Sequence, residues 1–159
     1  MKKEISLKKL SFNFCLFLCV YYLGFTFIAA SLDKIVDPYQ FSESITNYQI
    51  TPYWISNLVA LILPWLEFIC GLLLIISCLK IFSDFDLFDI SNNLIILMLL
   101  WFIFILIVAS IKGLDIDCGC GLIEKTTPFD RLKEDIALLI SAFIIKFRGT
   151  IRFFLKLNS

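Results

Sequence analysis

The sequence predicts an all-α membrane protein, a bundle of four transmembrane helices with both termini on the cytoplasmic side. Three observations carry that prediction. The first is composition: the 159 residues are 60% hydrophobic and 18% charged, with mean hydropathy +0.91. A soluble domain has roughly 45–50% apolar and about 25% charged residues, and so short a chain has too much surface to bury the excess in a water-soluble core. The second is spacing, because long uncharged runs separate the charges. The third is an unequal division of Lys and Arg between the two ends of those runs. The whole chain, 1–159, reads as one membrane domain with no internal repeat and no low-complexity linker.

The elements follow in order. Between Lys9 and Asp33 lie 23 uncharged residues, enough for a span over 10–32, since a crossing helix needs about 20 apolar residues. Lys2, Lys3, Lys8 and Lys9 precede this run as the basic segment of a signal peptide would. The run is longer than a signal-peptide core, and Ala29-Ala30-Ser31 is a weak cleavage site, so the segment is expected to remain a helix. After Asp37-Pro38 a short interfacial helix is expected, with Tyr39, Phe41, Ile45 and Tyr48 as its apolar side. A second span, 54–79, falls in the 36 residues between Glu43 and Lys80, whose single charge is Glu67. A third, 90–111, occupies the 22 uncharged residues between Asp89 and Lys112. The fourth, 132–154, rests on only ten uncharged residues, Ile136–Ile145. It requires Lys146, Arg148 and Arg152 to reach toward one interface.

With four spans, nine basic residues fall on the side of the termini and five on the other. The more basic side is cytoplasmic, so the connections Asp33–Tyr53 and Lys112–Arg131 face outward. Composition also excludes chemistry. The 14 basic and 14 acidic residues balance, which argues against a polybasic nucleic-acid binder. Histidine is absent, and with it go His-ligated haem, His-dependent zinc sites and every Ser-His or Cys-His nucleophile pair. Catalysis is left to Cys, Asp, Glu, Lys or Tyr.

The sharpest candidate is Asp117-Cys118-Gly119-Cys120-Gly121, on an outward connection. A disulfide needs Cα atoms about 4.4–6.8 Å apart, so Cys118 and Cys120 require a turn, and Gly119 and Gly121 permit one. Such a small ring is strained, oxidising and easily exchanged, and an outward compartment permits disulfides. A structural bridge stapling the connection, or half of a metal site completed by Asp115 and Glu124, are the competing readings. The second candidate is Glu67, near the bilayer midplane, where an ionisable residue marks function by default. It is read as a proton relay, a quinone or ligand contact, or one half of a pair. Lys34 is the one cation in reach. Otherwise Glu67 is a protonated residue bonded to backbone or to Tyr21, Tyr22 or Ser56. Cys15, Cys19, Cys70 and Cys78 read as apolar packing, and the 17 phenylalanines as lipid-facing bulk.

Three ordered blocks resemble a known family. They are Leu23-Gly24-Phe25-Thr26-Phe27 with Asp33-Lys34-Ile35-Val36-Asp37-Pro38 and Phe41; Pro64-Trp65-Leu66-Glu67 with Gly71; and Lys112-Gly113-Leu114 with Cys118-Gly119-Cys120-Gly121, Arg131 and Asp135. Together, from about Leu23 to Asp135, they resemble the MauE branch of the DoxX-like superfamily, redox-associated four-helix membrane proteins. The family commonly reads Cys-Gly-Cys-Phe-Gly, and this chain lacks the Phe. The resemblance implies a bundle in the bacterial inner membrane, working beside a thioredoxin-like partner in maturing a disulfide-rich periplasmic subunit during methylamine utilisation. It carries no licence to assign methylamine as substrate, because one fold hosts several roles.

The expected function is therefore a thiol–disulfide relay through Cys118 and Cys120, with Glu67 handling protons. Its partners are the lipid bilayer and a periplasmic thioredoxin-like protein or disulfide-containing client, with a quinone as a candidate electron carrier, no resident metal and no nucleic acid. The alternatives are a non-catalytic assembly or export factor and a small proton-coupled exporter using Glu67.

Overall fold

A computed structural model describes residues 2–47, 52–78, 85–112 and 128–148. These residues form five helices and no strand: α1 Lys2–Val36, α2 Pro38–Asn47, α3 Tyr53–Cys78, α4 Phe85–Ile111 and α5 Pro128–Lys146. Three of them are long and apolar enough to cross a membrane, over Asn13–Val36, Trp54–Cys78 and Leu87–Ile111. Helices satisfy every backbone hydrogen bond internally, as hydrocarbon requires. The chain is a multi-pass membrane protein. At 35 residues, α1 is about 52 Å long at 1.5 Å per residue, so its charged first turns project beyond its apolar stretch. In α5 the charges from Asp130 to Asp135 occupy the first two turns, which is why this helix is less apolar than the other three.

Local chemistry sets the ends of α2. Asp37 is the N-cap: its Oδ1 accepts the Gln40 N–H at 2.9 Å, and Pro38 takes the first helical position, where a missing N–H costs nothing. The helix starts where the sequence predicts, but its inward face differs. Phe41, Ser42 and Ser44 are buried, Ile45 is half-buried, and Tyr39 is exposed. Tyr48 lies outside the described residues. The hydroxyls face inward because they find partners there: Ser42 Oγ donates to Asn57 Oδ1 of α3, and Ser44 Oγ to the Gln40 carbonyl at 3.0 Å.

The four long helices close a ring. α1 packs on α3, α3 on α4, α4 on α5, and α5 back on α1, while α2 lies against α3 and touches α1. Val20, Leu23 and Phe27 of α1, Cys70 and Leu74 of α3, Ile95 and Leu99 of α4, and Leu138, Ala142 and Ile145 of α5 fill the interior. Phe14, Phe25, Leu61 and Leu97 point outward and are each more than half exposed, a surface suited to lipid and costly in water. Neighbours in the ring run antiparallel. At one end Arg148, two residues beyond α5, donates to Asp89 Oδ1 of α4 at 2.7 Å and lies 4.6 Å over the Phe88 ring. One turn deeper, Asn92 Nδ2 donates to the Ala142 carbonyl at 3.1 Å.

The closest helix contact is α1 against α3, through Gly24 and Gly71. A Cβ placed on Gly71 would lie 2.8 Å from the Gly24 carbonyl oxygen, and one on Gly24 would lie 2.6 Å from Ile75 Cγ1. Small residues let membrane helices approach to backbone contact. Backbone cannot yield as a side-chain tip can, so Gly71→Ala is expected to cost about 1–3 kcal/mol by overpacking. Thermal unfolding in detergent should show a lowered midpoint for Gly71→Ala, and Gly71→Leu should fail to accumulate folded protein.

Candidate functional site

The crossing at Gly24 and Gly71 sets the register for the charged site. From Gly24 to Lys34, α1 rises about 15 Å toward its C-terminal end, and from Gly71 back to Glu67, α3 rises about 6 Å toward the same end. Lys34 thus starts nearer the end of the bundle than Glu67. The gap closes because Cα–Cβ bonds tilt toward a helix N-terminus. On antiparallel helices that tilt sends Lys34 inward and Glu67 outward, so the two side chains meet. Lys34 Nζ lies 2.8 Å from both Glu67 Oε1 and Glu67 Oε2. The pair is sealed, with side chains 5% and 2% exposed. Of the partners open to Glu67 from sequence, the structure supplies Lys34, and the reading as a lone protonated carboxyl gives way to an ion pair.

Each remaining helix adds a group. Phe41 of α2 and Phe102 of α4 place their rings 5.1 Å and 5.3 Å from Lys34 Nζ, within range for cation–π attraction. Asp135 of α5, half-buried, lies within electrostatic range of Lys34, Arg131, Glu134 and Glu67. Pro64, buried one turn before Glu67 on α3, has no N–H to give the preceding turn. Groups of α2, α3 and α4 therefore meet around one ammonium carried by α1.

Such an arrangement is electrostatically demanding. Two charge-assisted hydrogen bonds and two aromatic faces offset the desolvation of the pair, which in a low dielectric runs to several kcal/mol per ion. Removing one partner strands the other, so Lys34→Met is expected to destabilise the protein by about 3–5 kcal/mol. Lys34→Met with Glu67→Leu should recover most of that loss, and unfolding midpoints of the two variants in the same detergent test this.

Cys118 and Cys120 lie outside the described residues. Their connection leaves α4 at Ile111 and re-enters the bundle at Pro128 of α5, at the end of the ring where Lys34 and Asp135 sit. Cys15, Cys19, Cys70 and Cys78 are free thiols. Cys70 is in the core, with Cys19 and Cys78 packed against it, in line with packing roles. Phe41 and Phe102 were not distinguishable from the other phenylalanines by sequence, because a ring over a cation is a property of the assembled bundle. Phe41, Arg131 and Asp135 do stand in the resembling blocks, where their positions alone assign no role.

The fold and site together define a class: a small polytopic helical membrane protein with a sealed ion pair beneath one end of its bundle. The chain matches the family model of MauE, methylamine utilisation protein MauE, over residues 12–147, and it belongs to that family. Comparison with curated proteins gives no match, and comparison with solved structures gives none.

Proposed function

We propose that this protein is a thiol–disulfide relay of the bacterial inner membrane, exchanging through Cys118 and Cys120 with a periplasmic thioredoxin-like protein and a disulfide-containing client. The single observation that carries the reading is the coincidence of family and topology. A family match spanning 12–147 encloses the Cys118-Gly119-Cys120 sequence, which lies in the chain between the end of α4 at Ile111 and the start of α5 at Pro128. In this reading α5 is a fourth crossing. It completes the ring, turns Leu138, Ala142 and Ile145 into the core and leaves Ile140 and Phe143 on the outside. Four crossings put both termini in the cytoplasm and the thiols outside, as the basic residues demand.

The chemistry balances between thiols alone. A client thiolate attacks one sulfur of the Cys118–Cys120 disulfide; that S–S bond breaks, and the departing sulfur takes up a proton. A second client thiolate resolves the mixed disulfide, so the client gains a disulfide and the pair gains two electrons. Exchange with a disulfide of the thioredoxin-like protein returns the pair to its oxidised form. Asp115 and Asp117 flank the pair and oppose a thiolate there, which favours the pair as the oxidised acceptor. Glu67, paired with Lys34, is in this reading the group that handles protons within the bundle.

Cys120→Ser should trap a mixed disulfide between Cys118 and a partner, released by reductant on a non-reducing gel. Cys118→Ser with Cys120→Ser should abolish both the adduct and client oxidation. A doubly substituted protein that still supports client maturation would make the chain an assembly or export factor. Loss of function in Glu67→Gln with the cysteines dispensable would make it a proton-coupled exporter.

A further inference from the structure

The Lys34–Glu67 pair is sealed, and Glu67 can exchange a proton with water only if water reaches it. The two directions along the bundle differ in what bars the way. Toward the Asp89 end, the Gly24–Gly71 contact closes α1 on α3 at backbone distance, and Leu23 and Leu74, both fully enclosed, lie beyond it. Toward the other end, Lys34 stands two residues before α1 ends at Val36, which is 83% exposed. The ammonium is covered there by α2, a helix of 10 residues. Its Phe41 ring lies 5.1 Å from Lys34 Nζ and is itself buried, so that ring stands between the pair and the outside.

The contacts of α2 suit a unit that lifts whole. Ser42 Oγ donates to Asn57 Oδ1 of α3, and Asn57 is exposed, so water can replace that bond when the helices part. Ser44 and Thr46 donate to the Gln40 and Ser42 carbonyls of α2 itself, and the Asp37 cap is equally local. None of these local bonds breaks if α2 moves as a rigid helix. Gln40, Glu43 and Asn47 already face solvent. Short segments with few buried apolar groups open well below the free energy of global unfolding.

We propose that α2 is a lid on the Lys34–Glu67 pair, hinged at Asp37 and plugged by Phe41, and that its opening admits water to the carboxylate. Asp37 is the single residue between α1 and α2, and hinges of this kind are a few residues at the ends of elements. The use made of that water rests on the reading of Glu67 as the group that handles protons, whereas the lid does not.

The test is acetylation of lysines by a charged reagent in the full chain in lipid nanodiscs, read peptide by peptide. Lys133, with a side chain 61% exposed, sets the rate of an open lysine. Lys34 should react about a hundredfold more slowly, through lid opening. Phe41→Ala should raise the Lys34 rate about tenfold, and Asn57→Ala, which leaves the ring in place, about threefold. Phe102→Ala removes the ring on α4 and should raise it less than either. Hydrogen exchange should quicken at the α2 amides in Phe41→Ala and Asn57→Ala, with the α1 and α3 amides beside the pair unchanged. Lys34 rates unmoved by both substitutions, an equal rise in Phe102→Ala, or a rise that α1 and α3 amides share would overturn the lid. A lid that opens as expected, in a protein whose Glu67→Gln variant still matures its client, would leave the lid standing and remove the proton role of Glu67.

Discussion

An ammonium and a carboxylate in contact inside an apolar bundle constrain everything around them. Lys34 and Glu67 meet at 2.8 Å through both carboxylate oxygens, with water excluded. Desolvating two charges is tolerated only when their geometry is good and their surroundings are polarisable. The register of α1 against α3, the placement of Phe41 and Phe102, and the approach of Asp135 all serve that condition. The Gly24–Gly71 crossing matters for the same reason. Backbones in contact leave little freedom for one helix to slide on the other, and the ion pair lies within three turns of that contact on either helix.

The two ends of the ring are held by different means. At the Asp89 end, an exposed carboxylate pairs with Arg148 over the Phe88 ring, and Asn92 ties α4 to α5 through the Ala142 carbonyl. These are contacts between two neighbouring helices. At the Lys34 end, a single ammonium on α1 engages groups from α2, α3 and α4. A change of charge there is felt by those helices, whereas a change at the Asp89 end is felt by α4 and α5.

Family membership and topology direct attention to the connection between α4 and α5, while the geometry of the described residues directs it to the charges below. The two converge on the same end of the bundle. Thiol exchange requires a protein that presents sulfur to a partner and holds it in a defined place.

Several features were legible in the sequence because they depend on local chemistry. Uncharged runs foretold α1, α3 and α4, and Asp37-Pro38 foretold the start of α2, since capping is decided within four residues. Glu67 was conspicuous because a charge amid apolar residues is visible without coordinates, and Lys34 was in reach by counting. The inward turn of Ser42 on α2 was not legible, because it answers to Asn57 on another helix. Nor was the division among the phenylalanines, of which Phe41 and Phe102 face an ammonium while Phe14 and Phe25 face outward. The sequence by itself determined that this chain is helical, lies in a membrane and has its chemistry confined to a few thiols and charges, because hydropathy and residue type are properties of the chain. Only the tertiary structure decided that Lys34 pairs with Glu67 and that Phe41 and Phe102 face that ammonium, because contact between antiparallel helices depends on register, on side-chain tilt and on glycines that let the backbones touch.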